Sequence, residues 1–219
     1  MAVGTALIKV PTQQQLDEAQ AHFQNEWGLV DEVLYRLCKE HPDHSSRREV
    51  VGKLGLIGRA YSAAMERRVT PPPGQQAIVV IGDYLCERGN QVDAILSRLR
   101  SLSEPLSRQD MATAVAEHGR FTALLKGVAT DGKTPRSFAA KYLHFHCPVV
   151  PIYDSYVAAK IPKVVRWSSN NLPFELPPGS DEEYWHFCVR LLRLYESCRR
   201  YGLAVTVKSL DSYLWEVPT

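Results

Sequence analysis

The sequence contains no Cys-x-x-Cys pair, and its five cysteines (38, 86, 147, 188 and 198) are scattered and odd in number. An iron–sulfur cluster needs closely spaced thiolates, and a disulfide framework needs a patterned, even set. The spacing argues against both and fits a reduced intracellular chain. Long apolar runs are lacking too. Nothing approaches the ~18 consecutive apolar residues of a membrane span. The opening MAVGTALIKVPTQQQ has too short an apolar run for a secretory signal. A soluble, cytoplasmic protein is therefore expected. Charge of one sign is also missing: 26 Lys and Arg oppose 24 Asp and Glu, a net of +2. So small an excess does not by itself point to nucleic acid. No internal repeat is visible, and only YGLAVTVKS, 201–209, carries a pattern expected to form a short strand.

What is present suits a helical globule. The chain has 219 residues, 45% hydrophobic and 23% charged, enough for one domain or two small lobes around a shared core. Leu16, Ala19, Phe23, Trp27, Val30, Leu34 and Leu37 recur at helical spacing behind Thr12, predicting a helix over 12–40. A second is expected from Ser45 or Ser46 to Arg68. It carries Gly52, Gly55 and Gly58, each costing about 1 kcal/mol against alanine in a helix interior. Two readings of that row stand: close packing by a neighbouring backbone, or a ligand pressed on that face. Further helices are expected over 75–102, bent near Gly89, over 108–118 and beyond, over 135–146, over 154–160, and from a Ser180/Glu183 capping box to Arg200. SLDSYLWE closes the chain as a last helical turn. The turn-rich 168–183 reads as a surface excursion.

The least ordinary stretch is HFHCPVVPIYDSYVAAKIP, 144–162. Asp154 stands at the start of a helix, where a carboxylate is a favoured N-cap and the helix dipole favours negative charge. It is either a cap alone or a carboxylate held at a helix mouth for chemistry. His144 and His146, with Cys147, invite a metal reading. On a helix, however, residues two apart point to different faces, and no carboxylate lies near in sequence, so no metal is expected. One histidine is expected in the core and the other in a pocket or on backbone. Arg59, Tyr61 and Glu66 form either a buried network or a pocket wall in which Tyr61 stacks on a base. Lys133, Arg136 and Lys141 are either a solvated helix end or a phosphate-binding patch.

The stretch GKTPRSFAAKYLHFHCPVVPIYDSYVAAKI, 132–161, resembles the core of the helix–hairpin–helix DNA glycosylase superfamily. In that family a hairpin of two short helices grips a DNA phosphate. An apolar V-P-[VI]-D-[TS] run then places an aspartate at the next helix start. Here VPIYDSYV has Tyr153 as one additional residue, and Ser155 stands at the Thr/Ser position. The resemblance implies an all-α fold of two apposed, interleaved lobes within residues 1–219, with the active site between them and Asp154 at its floor. It implies hydrolysis of an N-glycosidic bond in damaged or modified DNA, as in base excision repair, or in a nucleotide. Asp154 would stabilise positive charge on the sugar or activate water. Arg136 stands where bifunctional members carry a lysine nucleophile. Because arginine stays protonated, water attack is implied rather than lyase chemistry. The implied base pocket comprises Tyr61, Arg59, His144, His146 and Tyr153, and the phosphate site Lys133, Arg136 and Lys141. DNA, or else a nucleotide, is the expected partner, and no cofactor is expected. The alternative is a module of the same fold that binds nucleic acid or protein without catalysis, in which Asp154 only caps its helix.

Overall fold

The computed structural model describes residues 8–166 and 172–218, and within them the protein is all-α. The nine helices are α1 (Gln13–Glu40), α2 (Arg47–Ala60), α3 (Ala77–Glu87), α4 (Gly89–Arg100), α5 (Arg108–Lys126), α6 (Arg136–His146), α7 (Ser155–Val164), α8 (Glu182–Arg200) and α9 (Val207–Glu216). None is long and apolar enough to cross a membrane. Thr12, Ser107 and Thr206 each close a reciprocal capping box, which satisfies two otherwise orphaned backbone donors at the starts of α1, α5 and α9.

Two buried apolar clusters organise these helices. One is built mainly from α2, α3, α4 and α6, around Val50, Ile81, Leu96 and Tyr142. The other is built mainly from α7, α8 and α9, around Val157, Leu192 and Leu210. Three helices feed both. Leu16 of α1 joins the second cluster while Leu34 joins the first, Val115 and Phe121 of α5 divide the same way, and so do Ala140 and Leu143 of α6. Helix α6 is buried without interruption from Phe138 to Phe145, as expected of a helix surrounded by others. Any polar residue on it must therefore find a partner inside the protein.

Several boundaries differ from the sequence expectations, each for a local reason. Helix α2 stops at Ala60, not Arg68. The chain turns through Tyr61 and Ser62 and folds back, so that the Ala63 N–H donates to the Gly58 carbonyl at 2.8 Å. A Cβ at Gly58 would stand 3.0 Å from Ala64 Cα, so this glycine admits a close backbone approach. The other two glycines of the row do not serve that purpose: Gly55 faces the Ile78 side chain and Gly52 faces open space. The region 75–102 forms two helices joined at Arg88. The cap of α8 is Asp181, which accepts the Tyr184 N–H at 2.8 Å, while the Ser180 hydroxyl turns toward the Val115 carbonyl at 3.4 Å. The expected strand in 201–209 does not form. Thr206 caps α9 instead, and among the described residues no strand lies alongside to pair with. Part of the 168–183 excursion, residues 168–171, lies outside the described residues.

Candidate active site

The C-terminal part of α2, the first half of α1, the end of α9 and the loop before α7 enclose a cavity of about 390 Å³. From α1 come His22, Phe23, Glu26 and Trp27, two i,i+4 pairs on adjoining faces of one helix. From the end of α2 come Ala60, Tyr61 and Ser62; from α9, Trp215 and Glu216; from α6, Lys141; from the loop, Ile152 and Asp154. The walls are thus aromatic and the floor is charged. Trp27 and Tyr61 lie at 6.5 Å between ring centroids, tilted by 42°. Ser62 is held at φ +51°, a left-handed conformation unusual for a side chain with a Cβ. Backbone held in this way costs about 1 kcal/mol or more and concentrates at ligand sites. A second hollow of about 590 Å³, lined in part by Lys9, Lys163 and Tyr213, adjoins across His22 and Glu216 without reaching Asp154.

The floor is built from the sequence upward. Val150, Ile152 and Tyr153 are buried and fix where the chain enters α7. Asp154, at the N-cap, uses Oδ1 to accept the Tyr156 N–H at 2.9 Å. Its Oδ2 accepts from Lys141 Nζ at 2.9 Å. The Lys141 side chain is 2% exposed and that of Asp154 is 19% exposed, so the ion pair has its lysine sealed and its carboxylate at the cavity surface. Lys141 also donates to the Tyr61 carbonyl at 3.0 Å, which ties the floor to the wall.

Behind the wall, the ionic network continues into the protein. The Tyr61 hydroxyl donates to Asp31, and burial pushes the Tyr61 pKa far above its ordinary value. Asp31 pairs with Lys208 at 3.0 Å, and Lys208 stands 4.0 Å over the Phe23 ring and 4.0 Å from Asp211. Asp211 is buried, and the loss of water raises its pKa to about 6, partly offset by Lys208 and Lys141. Three aspartates and two lysines thus form one chain of contacts from the cavity floor to α9.

The structure brings together only part of the expected set. Asp154 and Tyr61 both line the cavity. Lys141 lines it too, but as the counter-ion of Asp154 and not as part of a phosphate patch, because the interior of α6 is closed to solvent. Arg136 is matched by Asp181 at 2.9 Å and Glu183 at 2.8 Å, so its charge is already satisfied, while Lys133 lies exposed on the loop before α6. The three do not form one cationic surface. Arg59 points outward, 73% exposed, 3.5 Å from Glu66. The side chain of Tyr153 packs into the core and donates to Glu183.

Neither His144 nor His146 reaches the cavity. His144 sits between the Tyr35 hydroxyl at 2.6 Å and the Val150 carbonyl at 2.8 Å, and burial lowers its pKa to about 3. His146 packs against His44 and Tyr142 with both ring nitrogens buried, and its pKa is held well below the ordinary value. His144 is fully buried and His146 partly so, and burial of the ring nitrogens keeps both imidazoles neutral. Among the described residues, no three His, Cys, Asp or Glu side chains are grouped to hold a metal ion.

Sequence reasoning missed most of the wall. Phe23 and Trp27 belong to the apolar stripe of α1, and Trp215 fits a core plug, yet Trp27 and Trp215 are 43% and 42% exposed. One signal was present: His22 and Glu26 sit beside Phe23 and Trp27 at the same helical spacing, a polar edge running along an aromatic one. Compared with protein families, curated proteins and solved structures, the chain matches none. The case for function therefore rests on the geometry of the cavity.

Proposed function

We propose that the protein hydrolyses an N-glycosidic bond, in a nucleotide or in modified DNA, within an arrangement like that of the helix–hairpin–helix glycosylases. The observation that carries this reading is that the Asp154 carboxylate, fixed by its helix cap and by Lys141, opens onto an aromatic-walled cavity of about 390 Å³. That volume lies within the ~300–1,000 Å³ of small-molecule sites. A planar base can stack against an aromatic wall such as Trp27, Tyr61 or Trp215, as base-handling sites require. The sugar then lies toward the floor. As the C1′–N bond lengthens, positive charge grows on the sugar ring, and a fixed carboxylate stabilises it without reorganising at the moment of reaction. Water completes the hydrolysis. In a non-catalytic module, by contrast, Asp154 serves only as the cap of α7 and the partner of Lys141.

The test is incubation of wild type and Asp154→Asn with a panel of modified oligonucleotides and free nucleosides, measuring released base by chromatography. Release by the wild type that is lost in Asp154→Asn supports the reading. Equal release by both proteins, or none from any substrate, overturns it.

A further inference from the structure

We propose that the second hollow, beside the aromatic cavity, is a binding site for a phosphate group. The phosphate patch implied at Lys133, Arg136 and Lys141 is not assembled in the fold, and none of those three residues lines this hollow. Its lysines are Lys9 and Lys163. Backbone pairing brings them to one place. The Lys9 N–H donates to the Val164 carbonyl at 2.8 Å, and Ile8 pairs with Val165 in an isolated antiparallel bridge. The segment before α1 is thereby pinned against the last turn of α7, which carries Lys163. The Ile161 and Val164 carbonyls at that helix end already accept from the Val165 and Lys9 N–H groups, so neither ammonium is needed to satisfy them.

Donors and acceptors in the lining are unequally engaged. Both lysines are exposed and Tyr213 is half-buried. Among the described residues, Lys9 Nζ, Lys163 Nζ and the Tyr213 hydroxyl have no hydrogen-bond or ion-pair partner. The acidic and amide side chains of the lining do have partners. Glu18 accepts from the Gln14 side chain at 2.8 Å, Gln15 accepts the Thr12 N–H at 2.9 Å, and Glu216 meets His22 Nδ1 at 2.8 Å. Three donors, two of them cationic, therefore line a hollow of about 590 Å³ without an acceptor of their own. A phosphate supplies what is missing: it is anionic, its oxygens accept, and bonds between ions are about twice as strong as neutral ones.

His22 and Glu216 line both this hollow and the cavity onto which Asp154 opens, so the two share a wall. The phosphate belongs to the nucleotide whose base occupies that cavity, an assignment that rests on the hydrolase reading. The hollow as a phosphate site does not depend on it.

Isothermal titration calorimetry on the full chain reads binding, with wild type compared against Lys9→Gln/Lys163→Gln. Both lysines are exposed, so this variant keeps its fold, which circular dichroism checks. The probes are inorganic phosphate, the four common ribonucleosides and their 5′-monophosphates, with chromatography confirming that each nucleotide stays intact. At least one monophosphate is expected to bind roughly tenfold more tightly than its nucleoside, and inorganic phosphate to compete with it. The glutamine variant should lose that preference and leave nucleoside affinity unchanged, while Lys9→Arg/Lys163→Arg keeps it. The preference should also shrink as salt rises, because exposed charges are screened. Equal binding of monophosphates and nucleosides, with no binding of inorganic phosphate, overturns the inference whatever Asp154-dependent base release shows. A preference retained in the glutamine variant also overturns it, since the phosphate then sits elsewhere. Inorganic phosphate bound by wild type and lost in the glutamine variant, with no monophosphate tighter than phosphate itself, upholds the hollow and overturns its link to the base cavity. Absence of base release from every substrate, with the preference intact, overturns the hydrolase reading alone.

Discussion

Replacing Asp154 by Asn separates its two roles. Asparagine caps a helix as well as aspartate, so the Tyr156 N–H keeps its acceptor and α7 keeps its start. The change instead removes the negative charge 2.9 Å from Lys141 Nζ. Lys141 is 2% exposed and keeps the Tyr61 carbonyl at 3.0 Å as its hydrogen-bond acceptor. Breaking a buried pair by removing one member costs about 3–5 kcal/mol. The lower end applies here, because the Asp154 side chain is 19% exposed and water can enter from the cavity. For a chain of this length, about 3 kcal/mol lowers the melting temperature by about 10 °C. Loss of a fixed charge that stabilises a transition state costs roughly 10²–10³ in rate. Thermal melting followed by circular dichroism reads the first effect, and single-turnover base release reads the second. The double variant Asp154→Asn/Lys141→Gln should recover most of the melting temperature, since no buried charge remains unpaired, and none of the activity. Recovery of activity in the double variant, or full activity in Asp154→Asn, would refute the electrostatic role of this carboxylate.

Four further outcomes follow from the same structure. Tyr61→Phe leaves buried Asp31 without its hydroxyl donor and should destabilise the fold by about 1–3 kcal/mol in urea unfolding, while the stacking wall stays in place. Ser62→Gly should raise stability by about 1 kcal/mol by relieving the φ of +51°, read as an upward shift of the urea midpoint. Gly58→Ala should lower the melting temperature, because its Cβ would stand 3.0 Å from Ala64 Cα, and backbone there cannot yield cheaply. Asp211 gives a pH signature. Its carboxyl rises from an ordinary 3.8 to about 6 on folding, so the folded state binds more protons than the unfolded state between these values. Its contribution to stability therefore falls as pH rises from about 4 to about 6, by up to about 3 kcal/mol, and is flat above. Unfolding of Asp211→Asn across that range should lack this slope.

Helix content was legible because local signals carry it. Thr12, Ser107 and Asp154 mark helix starts through side chains that bond to the next turn, and the structure uses all three. Where an expectation missed, a distant contact had intervened. The expected α2 helix ran on through Ala60 because residues 61–68 suit a helix, and only the return of the chain onto Gly58 ends it there. The cap of α8 passed from Ser180 to Asp181 because Asp181 also meets Arg136 across from α6.

The candidate site divides in the same way. Asp154 could be singled out in sequence, since a carboxylate behind a proline-pinned apolar run is a local pattern. Lys141, thirteen residues earlier, could be seen only as a basic residue among others. Its pairing with Asp154 depends on α6 being buried all round, which turns the lysine inward to the carboxylate at hydrogen-bond distance. Trp27 and Trp215 lie at opposite ends of the chain and meet at one cavity because α1 packs along α9. The sequence by itself therefore determined the helical class, most helix starts and the position of one helix-capping carboxylate, since backbone hydrogen bonding and side-chain periodicity act within a few residues. Only the tertiary structure decided which charge faces that carboxylate, which rings surround it and that the two histidines stay neutral, because desolvation and ion pairing depend on neighbours that the order of residues does not reveal.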